Sequence, residues 1–501
     1  MRSLTLTLTL TLTTTAAWAQ ERTFTANGYL RVRSDLFDDL DLNVGPGPSG
    51  DTYFPTSASN PRNKVLTAAD MRLRIEPKLD LGLRVRIRGR VDVLDNVALG
   101  STPEISDQVP LSGGSQVQVP PSDSIRVKRA WGEVTLPIGM LAAGRMGALV
   151  SWGTGMFVNN GDCLDCDFGD AGDRIFFETA MAGHLWMVAY DLAAVGPGVE
   201  RFGQVIDLDR TDDVRTLAFS VARWDNPAGV ERILRAGRTL VNYGLLASYR
   251  WQQKDAPGWY RNPPVGPFDA NAFINRDLSV GAFDFWALVQ NTAWRGEVEA
   301  ASILGTTGNA SLLPGADFRQ PTTQTQVGAV ARLDKSFSRL TTGVELGYAS
   351  GDKAPGFGVN VSKVPQPGDL DGAQLRPPGD NTVDNFLFAR DYRIDLILWR
   401  RIIGQVTDAF YARPRVVWTP WRSLALEGDV IYSRAMFAES TPSQTSTDLG
   451  VELDLSARWQ VDEGFTAQLA WGGFLPGDGL RNLGRSPEPA QTLHFILAYT
   501  Y

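Results

Sequence analysis

The densest set of chemically capable side chains lies in residues 159–170, with the sequence NNGDCLDCDFGD. Its cysteines, Cys163 and Cys166, have a spacing that occurs in redox pairs, in zinc sites and in small disulfide loops. A thioredoxin-like redox pair needs a βαβ context, which is absent here. Zinc needs four ligands, and these are the only 2 cysteines of the chain. The spacing therefore favours a local disulfide.

The aspartates of this segment are candidate ligands for Ca²⁺, which prefers clusters of carboxylate oxygens. The candidate ligands are Asp162, Asp165 and Asp167, although their spacing is not that of an EF-hand. No other cofactor is expected. If the segment instead folds inward, its carboxylates will face the arginines described next.

Arginines recur at every second position in residues 83–93, LRVRIRGRVDV. A strand places such arginines on one face and the intervening apolar residues on the other, whereas a helix scatters them. We expect a basic wall inside a β-barrel, lining its pore and formed by Arg31, Arg33, Arg72, Arg74, Arg84, Arg86, Arg88 and Arg90.

Acidic residues predominate in the later strands and predict an opposite, acidic pore wall. Its candidates are Glu297, Glu299, Glu345, Glu427, Asp429, Asp448, Glu452 and Asp454. Two such walls set up a transverse field that orients dipolar solutes and acts as a selectivity device. The alternative is that the charges pair across strands and only solvate the interior.

The same inventory argues against an enzyme. The chain has 2 histidines, His184 and His494, and no Ser/His/Asp constellation accompanies them. Residues 45–50, GPGPSG, match the pattern GxGxxG but follow no Rossmann strand and contain two prolines. We expect no catalytic residues.

Composition limits the class of protein that positions these residues. A net charge of −8 argues against nucleic-acid binding. A mean hydropathy of −0.14, with no run of about 18 apolar residues beyond the N-terminus, excludes a helical membrane protein. Residues 1–19 have the pattern of a secretory signal peptide, with Arg2 before an apolar stretch and small residues at Ala17 and Ala19.

Residues 20–501 show period-2 alternation in segments of about ten residues, joined alternately by short turns and long polar loops. This pattern predicts an all-β fold, a single transmembrane antiparallel barrel of about 18 strands with short periplasmic turns and long extracellular loops; 16 strands is the alternative. Residues 353–409 are expected to be a long loop excursion that contains a helix. The expected strand starts lie near residues 28, 70, 83, 124, 140, 174, 185, 214, 239, 282, 294, 326, 340, 410, 424, 447, 465 and 491.

The last strand carries its own signal. Leu493, Phe495, Leu497, Tyr499 and Tyr501 are apolar or aromatic at every second position. A barrel whose last strand pairs with its first leaves no edge exposed to lipid. The pattern is similar to the terminal signature that outer-membrane barrels present to their insertion machinery.

Short motifs carry a family resemblance. Residues 125–133, IRVKRAWGE, with residues 139–145, GMLAAGR, resemble a strand–turn–strand signature of Gram-negative porins. Residues 347–352, GYASGD, are similar to a motif of alginate-export-type barrels. With residues 159–170 and 391–404, the chain resembles an uncharacterised porin-like outer-membrane family of myxobacterial-type Gram-negative bacteria. This resemblance implies an outer-membrane barrel and no particular substrate.

The sequence thus favours an outer-membrane channel for passive diffusion of small polar solutes, including anions. The alternative is an exporter or structural barrel of a trans-envelope assembly, in polysaccharide export or surface motility, without general pore activity. Expected partners are outer-membrane lipid and lipopolysaccharide, the barrel insertion machinery and small polar solutes, with no nucleic acid.

Overall fold

The structure is a computed structural model of the chain. It describes residues 22–57, 60, 64–99, 109–110, 116–117, 125–148, 152–193, 212–255, 274–310, 320–360, 363–375 and 380–501. The expected signal peptide, residues 1–19, lies outside these residues. The expected single barrel of residues 20–501 falls largely within them.

Eighteen long antiparallel strands, each paired with its neighbours in chain order, form one closed sheet in this part of the chain. They are β1 Arg22–Asp38, β2 Val65–Leu81, β3 Val85–Ala98, β4 Ile125–Leu136, β5 Gly139–Met146, β6 Gly172–Met181, β7 His184–Ala193, β8 Val214–Arg223, β9 Leu240–Asp255, β10 Ile274–Gln290, β11 Trp294–Thr307, β12 Thr322–Ser336, β13 Leu340–Ala349, β14 Ala409–Trp421, β15 Leu424–Ala435, β16 Asp448–Gln460, β17 Phe465–Pro476 and β18 Ala490–Thr500. The predicted barrel of 18 strands is confirmed.

Smaller elements lie in the connections. Helix α1, Pro227–Arg235, joins β8 to β9, and Asn226 caps it by accepting the Gly229 N–H. A π-helical turn, Leu398–Ile403, lies between β13 and β14, within the predicted excursion. The others are a 3₁₀ turn, Asp478–Leu480, a two-residue strand, Thr382–Val383, and a hairpin of Val109–Pro110 with Gln116–Val117. No helix among the described residues is long and apolar enough to cross a lipid bilayer.

Strand β18 closes the barrel against β1. The register pairs Tyr29 with Thr500 and Asp38 with Gln491. Beyond the ladder, the Gly28 N–H donates to the Tyr501 carbonyl and the Tyr501 N–H to the Gly28 carbonyl, each at 3.1 Å. Both edges are therefore paired, as lipid requires of a spanning sheet.

The two faces of each strand differ in polarity. On β16, Leu453 and Leu455 are 40% and 48% exposed on the outside, whereas Glu452 and Asp454 are buried inside. The apolar outer face suits hydrocarbon, and the charged inner face needs partners inside the barrel. This is the architecture of an outer-membrane β-barrel.

The largest difference from the predicted strands occurs at β10, which starts at Ile274 rather than near residue 282. Residues 275–279, NRDLS, are polar and resemble a loop in sequence. Their backbone nevertheless pairs with β9 and β11, because the barrel extends beyond the part of the strand that faces lipid.

The depth of an outer-face residue in the membrane should determine how far a charged substitution there lowers the free energy of unfolding. Leu453→Arg, at mid-strand, should lower the free energy of unfolding by about 2–4 kcal/mol, and Leu475→Arg, near the long-loop end of β17, by about 1 kcal/mol or less. Urea titration in lipid vesicles measures both. Equal costs at the two positions would contradict the assigned depth.

Candidate functional site

The interior of the barrel is occupied by two connecting segments. The inner loop, residues 152–171, follows β5, and the plug segment, residues 380–408, precedes β14. Both contact inward-facing side chains of the strands: Arg31 of β1 donates to the Leu164 carbonyl at 2.9 Å, and Tyr392 donates to Glu345 of β13 at 2.8 Å. The inner wall is therefore largely covered where these segments lie.

The plug segment has an apolar core. Trp399 is 2% exposed and packs edge-on against Phe357, and Phe386 packs edge-on against Phe388. The cluster extends into the first long loop and the strands through Phe37, Leu40, Phe54, Val330, Tyr411 and Phe474. Hydrophobic burial on this scale stabilises the position of the segment.

The acidic wall binds this plug segment. Glu452 accepts the backbone N–H groups of Leu396, Ile397 and Leu398 at 2.8–3.1 Å. Glu345 accepts the hydroxyls of Tyr392 and Tyr411 and pairs with Arg332 at 2.7 Å.

The remaining members of the predicted wall have varied surroundings. Asp429 and Glu427 pair with Arg413 at 3.1 and 3.7 Å, and Glu297 pairs with Arg295 at 2.8 Å. Asp454 is buried opposite Asp429 in the strand register, and Asp448 is exposed at the start of β16. Glu299 binds the inner loop by accepting from the Thr154 hydroxyl at 2.6 Å and the Phe157 N–H at 3.2 Å.

The basic wall binds the inner loop through Asp167. One oxygen of this carboxylate lies 3.1 Å from Arg72 and 3.4 Å from Arg31, and the other lies 2.8 Å from Arg33. Asp165 continues the network, 3.2 Å from Arg33. The arginines are fully buried, so the pairing compensates charges that water does not reach.

Further cations come from the plug segment. Arg393 and Arg400 lie 2.8 and 2.6 Å from Asp165. Burial alone would raise the pKa of Asp165, but Arg400 and Arg393 outweigh it and hold that pKa well below its usual range. The pKa of Asp167 is lowered in the same way, by Arg33 and Arg31 against burial. Both carboxylates are therefore ionised throughout the physiological pH range.

His494 lies at the edge of this cluster. Its Nδ1 lies 2.6 Å from Asp35 and its Nε2 lies 3.3 Å from Asp165. Both ring nitrogens thus face carboxylates, and the ring is buried. The other histidine, His184, contacts Tyr243 at the turn between β6 and β7.

A disulfide joins Cys163 and Cys166 and closes the turn that presents the two aspartates. The carbonyl of Leu164 accepts from Arg31 and that of Cys166 from Arg72, at 2.9 and 2.7 Å. Gly161 adopts φ +64° where the loop folds back toward Phe168, a conformation that L side chains rarely adopt. The covalent turn and this bend fix the direction of the carboxylates.

The expected calcium site is not formed in this arrangement. Asp162 pairs with Arg90 at 2.6 Å, while Asp165 and Asp167 face other arginines. Within the described chain, no group of three or more His, Cys, Asp or Glu side chains is placed to hold a metal ion. Each of the three carboxylates contacts a guanidinium, which occupies the positions that a cation would need.

The other arginines of the predicted basic wall lie nearer the short-turn end. Arg74 is bidentate to Asp92 at 2.7 and 2.8 Å. Arg88 lies 3.1 Å from Glu133, Arg86 lies 3.3 Å from Asp80, and Arg84 is exposed in the turn before β3.

A cavity of about 670 Å³ lies against a different part of the wall, mainly along β5 to β10, and extends to β11 and β12. Its lining includes Leu185 and Trp224 toward the short-turn end, and Leu192 and Gln324 toward the long-loop end. The side facing the barrel axis is formed by the inner loop, through Trp152, Phe157, Val158 and Asp170. None of the sixteen residues predicted to line the pore borders this cavity. The two predicted walls mostly contact the inner loop and the plug segment instead, and that they line a pore stays a prediction.

Sequence reasoning missed the residues that do line it. Arg174 is bidentate to Asp191 at 2.6 and 2.7 Å, and Arg250 donates to the Thr216 hydroxyl at 3.2 Å. Between them the wall carries small residues such as Ala218 and Ser220. The inward positions of β6 to β9 follow from the alternation, but small residues carry no chemical signature that would single them out.

Comparison with known proteins identifies similar barrels. No family model and no curated protein matches the chain. A BenF-like porin from Pseudomonas fluorescens Pf-5 is 10% identical with a TM-score of 0.48, covering 95% of this chain and 98% of that one. OpdK of Pseudomonas aeruginosa, solved with vanillate, is 8% identical with a TM-score of 0.47, covering 95% and 98%. OprD of the same species is 10% identical with a TM-score of 0.44, covering 95% and 93%. The resemblance concerns the porin-like fold, while a myxobacterial-type source stays a prediction.

The plug segment contains a carboxylate whose titration should be measurable. Asp391 accepts the N–H groups of Asp167 and Phe168 at 3.1 and 2.9 Å, and burial raises its pKa to about 6. The folded protein therefore holds a proton that the unfolded chain releases above about pH 4, so stability from this group falls as pH rises through 6. The shift corresponds to about 3 kcal/mol.

Asp391→Asn should therefore flatten the dependence of unfolding free energy on pH between 4.5 and 7.5. Urea titrations of the barrel in detergent micelles at both pH values measure the slope. Asp478→Asn, at an exposed carboxylate near the long-loop end, is the control and should leave the slope unchanged. An unchanged slope in Asp391→Asn would contradict the assigned titration.

Proposed function

We propose that this protein is an outer-membrane channel through which small polar solutes diffuse passively along the cavity beside β5 to β10. The observation that carries the proposal is the extent of the cavity. Its lining on β7 runs from Leu185 to Leu192 and on β8 from Val214 to Ala222. At about 3.3 Å per residue, this is most of the length of a membrane-spanning strand.

The lining favours polar solutes. Thr216, Ser220, Ser248, Gln324 and Gln326 supply hydroxyl and amide groups at successive levels of the wall. Such groups exchange hydrogen bonds with a passing solute, and the apolar residues between them keep binding weak enough for release.

Charge near the long-loop end supports entry of anions. Arg174 and Asp191 compensate each other, whereas the exposed guanidinium of Arg250 contacts a neutral hydroxyl at this level. The lining also contains the carboxylates of Asp170 and Glu178, so a preference for anions would rest on the local field of Arg250 and not on the charge of the cavity as a whole. The solutes in this proposal are small polar molecules, including anions.

The surroundings follow from the barrel itself. The exposed apolar face contacts outer-membrane lipid, with lipopolysaccharide in the outer leaflet, and the alternating last strand is the segment that the insertion machinery binds. We propose no chemical step, because both nitrogens of His494, the one interior histidine of the described chain, are held by carboxylates.

The extent of the plug supports a second candidate, a barrel of a trans-envelope assembly without general pore activity. The apolar core that joins the plug segment to the strands fills much of the barrel interior with packed side chains. Purified protein in planar bilayers separates the two candidates: a diffusion channel gives steady, ohmic conductance, and folded but silent protein identifies the second.

Filling the cavity should block conduction. Ser248→Trp places a large ring on the inner face of β9, and single-channel conductance should fall to roughly half or less. The matched control is Ala247→Trp, the next residue on the same strand and on its outer face, which should conduct like the unmodified protein. Equal conductance in the two variants would show that ions pass elsewhere.

Removing the charge at the mouth should change selectivity. Arg250→Gln should reduce the ratio of anion to cation permeability by roughly twofold while preserving the barrel. Reversal potentials in a salt gradient measure this ratio. Arg145→Gln, which removes a guanidinium paired with Asp173 outside the cavity lining, is the control. A ratio that is unaltered in Arg250→Gln would refute the role given to this residue.

A further inference from the structure

The arginines around Asp165 and Asp167 form a set that we call the guanidinium cluster: Arg31, Arg33, Arg72, Arg393 and Arg400. Arg33 lies at its centre, because its Nη1 is 2.8 Å from Asp167 and 3.2 Å from Asp165. The two carboxylates thus occupy the cluster as the two ends of one dianion would. Guanidinium groups suit such ligands because their donors match the geometry of carboxylate oxygens.

The wall half of this cluster does not depend on the inner loop for its position. Arg33 Nε donates to Asp70 at 2.9 Å, and Arg72 Nε donates to Asp95 at 2.8 Å. Arg31 donates to Asp70 at 3.1 Å through a different nitrogen. Each guanidinium is therefore held by the barrel on one edge and offers another edge to the inner loop, so the site is preorganised.

The cluster also has donor capacity that the inner loop does not use. Arg31 is completely buried, and its Nε has no hydrogen-bond acceptor among the described residues. A buried donor without an acceptor costs free energy that an additional ligand oxygen would recover.

The inner loop borders free volume only at its ends. Val158 and Asp170 line the cavity, whereas Asp167 and Phe168 donate their N–H groups to Asp391 of the plug segment. Apolar contacts fix its first part, where Met156 is fully buried and Phe157 packs 5.9 Å from Phe386. From Leu164 to Asp167 the loop contacts the basic wall through ion pairs and hydrogen bonds. A competing anion can form the same types of contact with these arginines.

We propose that the guanidinium cluster is a binding site for small dianions, and that Asp165 and Asp167 occupy it as an internal competitor. A soluble dicarboxylate takes their place by pairing with Arg33, Arg72 and Arg31, and the turn that carries the two aspartates is then displaced from the basic wall. A tethered competitor acts at an effective concentration in the millimolar range, so binding to the unmodified protein is weak.

Succinate binding to the full barrel in detergent micelles, measured by calorimetry, tests this proposal. Replacing the competitor with neutral amides in Asp165→Asn/Asp167→Asn should increase succinate affinity by about tenfold or more. A carboxylate pair with a purely structural role would give the variant no gain. Asp162→Asn, in the same loop but paired with Arg90, is the matched control and should bind like the unmodified protein.

Arg33→Met in the double-variant background should abolish the gained affinity, and Asp165→Asn alone serves if the double variant does not fold. Heat-modifiable migration on gels reports folding of each protein. No gain on removing the carboxylates, or a gain that survives the loss of Arg33, would overturn the proposal. Calorimetry needs no conduction, so this result is independent of whether the cavity conducts.

Discussion

Compensation of buried charge inside a closed sheet is the constraint on which the rest of this structure depends. Alternation that gives each strand an apolar outer face also places its charged residues inside, where they need water or an opposite charge. Here Arg31, Arg33 and Arg72 meet Asp165 and Asp167 of the inner loop. On the opposite side, Glu345 and Glu452 bind the plug segment. The charged walls are thereby the surfaces to which the interior segments attach.

This use of charge determines where a solute can pass. Once the basic and acidic walls are covered, the free volume lies mainly along β5 to β10, where most inward side chains are neutral. The inner loop separates the two regions, since one face contacts the arginines and the other borders the cavity. Its position therefore sets both the width of the path and the accessibility of the arginines.

The barrel could be predicted from the sequence because its determinants are local. A two-residue period defines a strand, and the spacing of turns and loops defines the hairpins, so the start of β14 was predicted near residue 410 and lies at Ala409. The inward position of residues 159–170, facing the arginines, was one of two alternatives. The choice between the two depends on whether the loop folds back into the barrel, and no local sequence pattern indicates that.

The plug and the cavity depend on contacts between distant residues. Phe386, Ile397 and Trp399 lie in an excursion without periodicity, and their burial against Phe37 and Tyr411 follows from the closed barrel alone. The cavity is lined on β8 by small residues such as Ala218, and its other lining residues come from separate strands and from the inner loop. Neither property produces a signal in the sequence of the segment concerned.

Thiol accessibility during conduction tests the central claim most directly. Single cysteines introduced at Thr216, Ser220 and Ala222 line the cavity, whereas a cysteine at Arg33 lies behind the inner loop. The native cysteines are joined in a disulfide and do not react with alkylating reagents. A membrane-impermeant thiol reagent should modify the three cavity positions and reduce the current, leaving position 33 unmodified. Modification at position 33 with unreactive cavity positions would contradict this account.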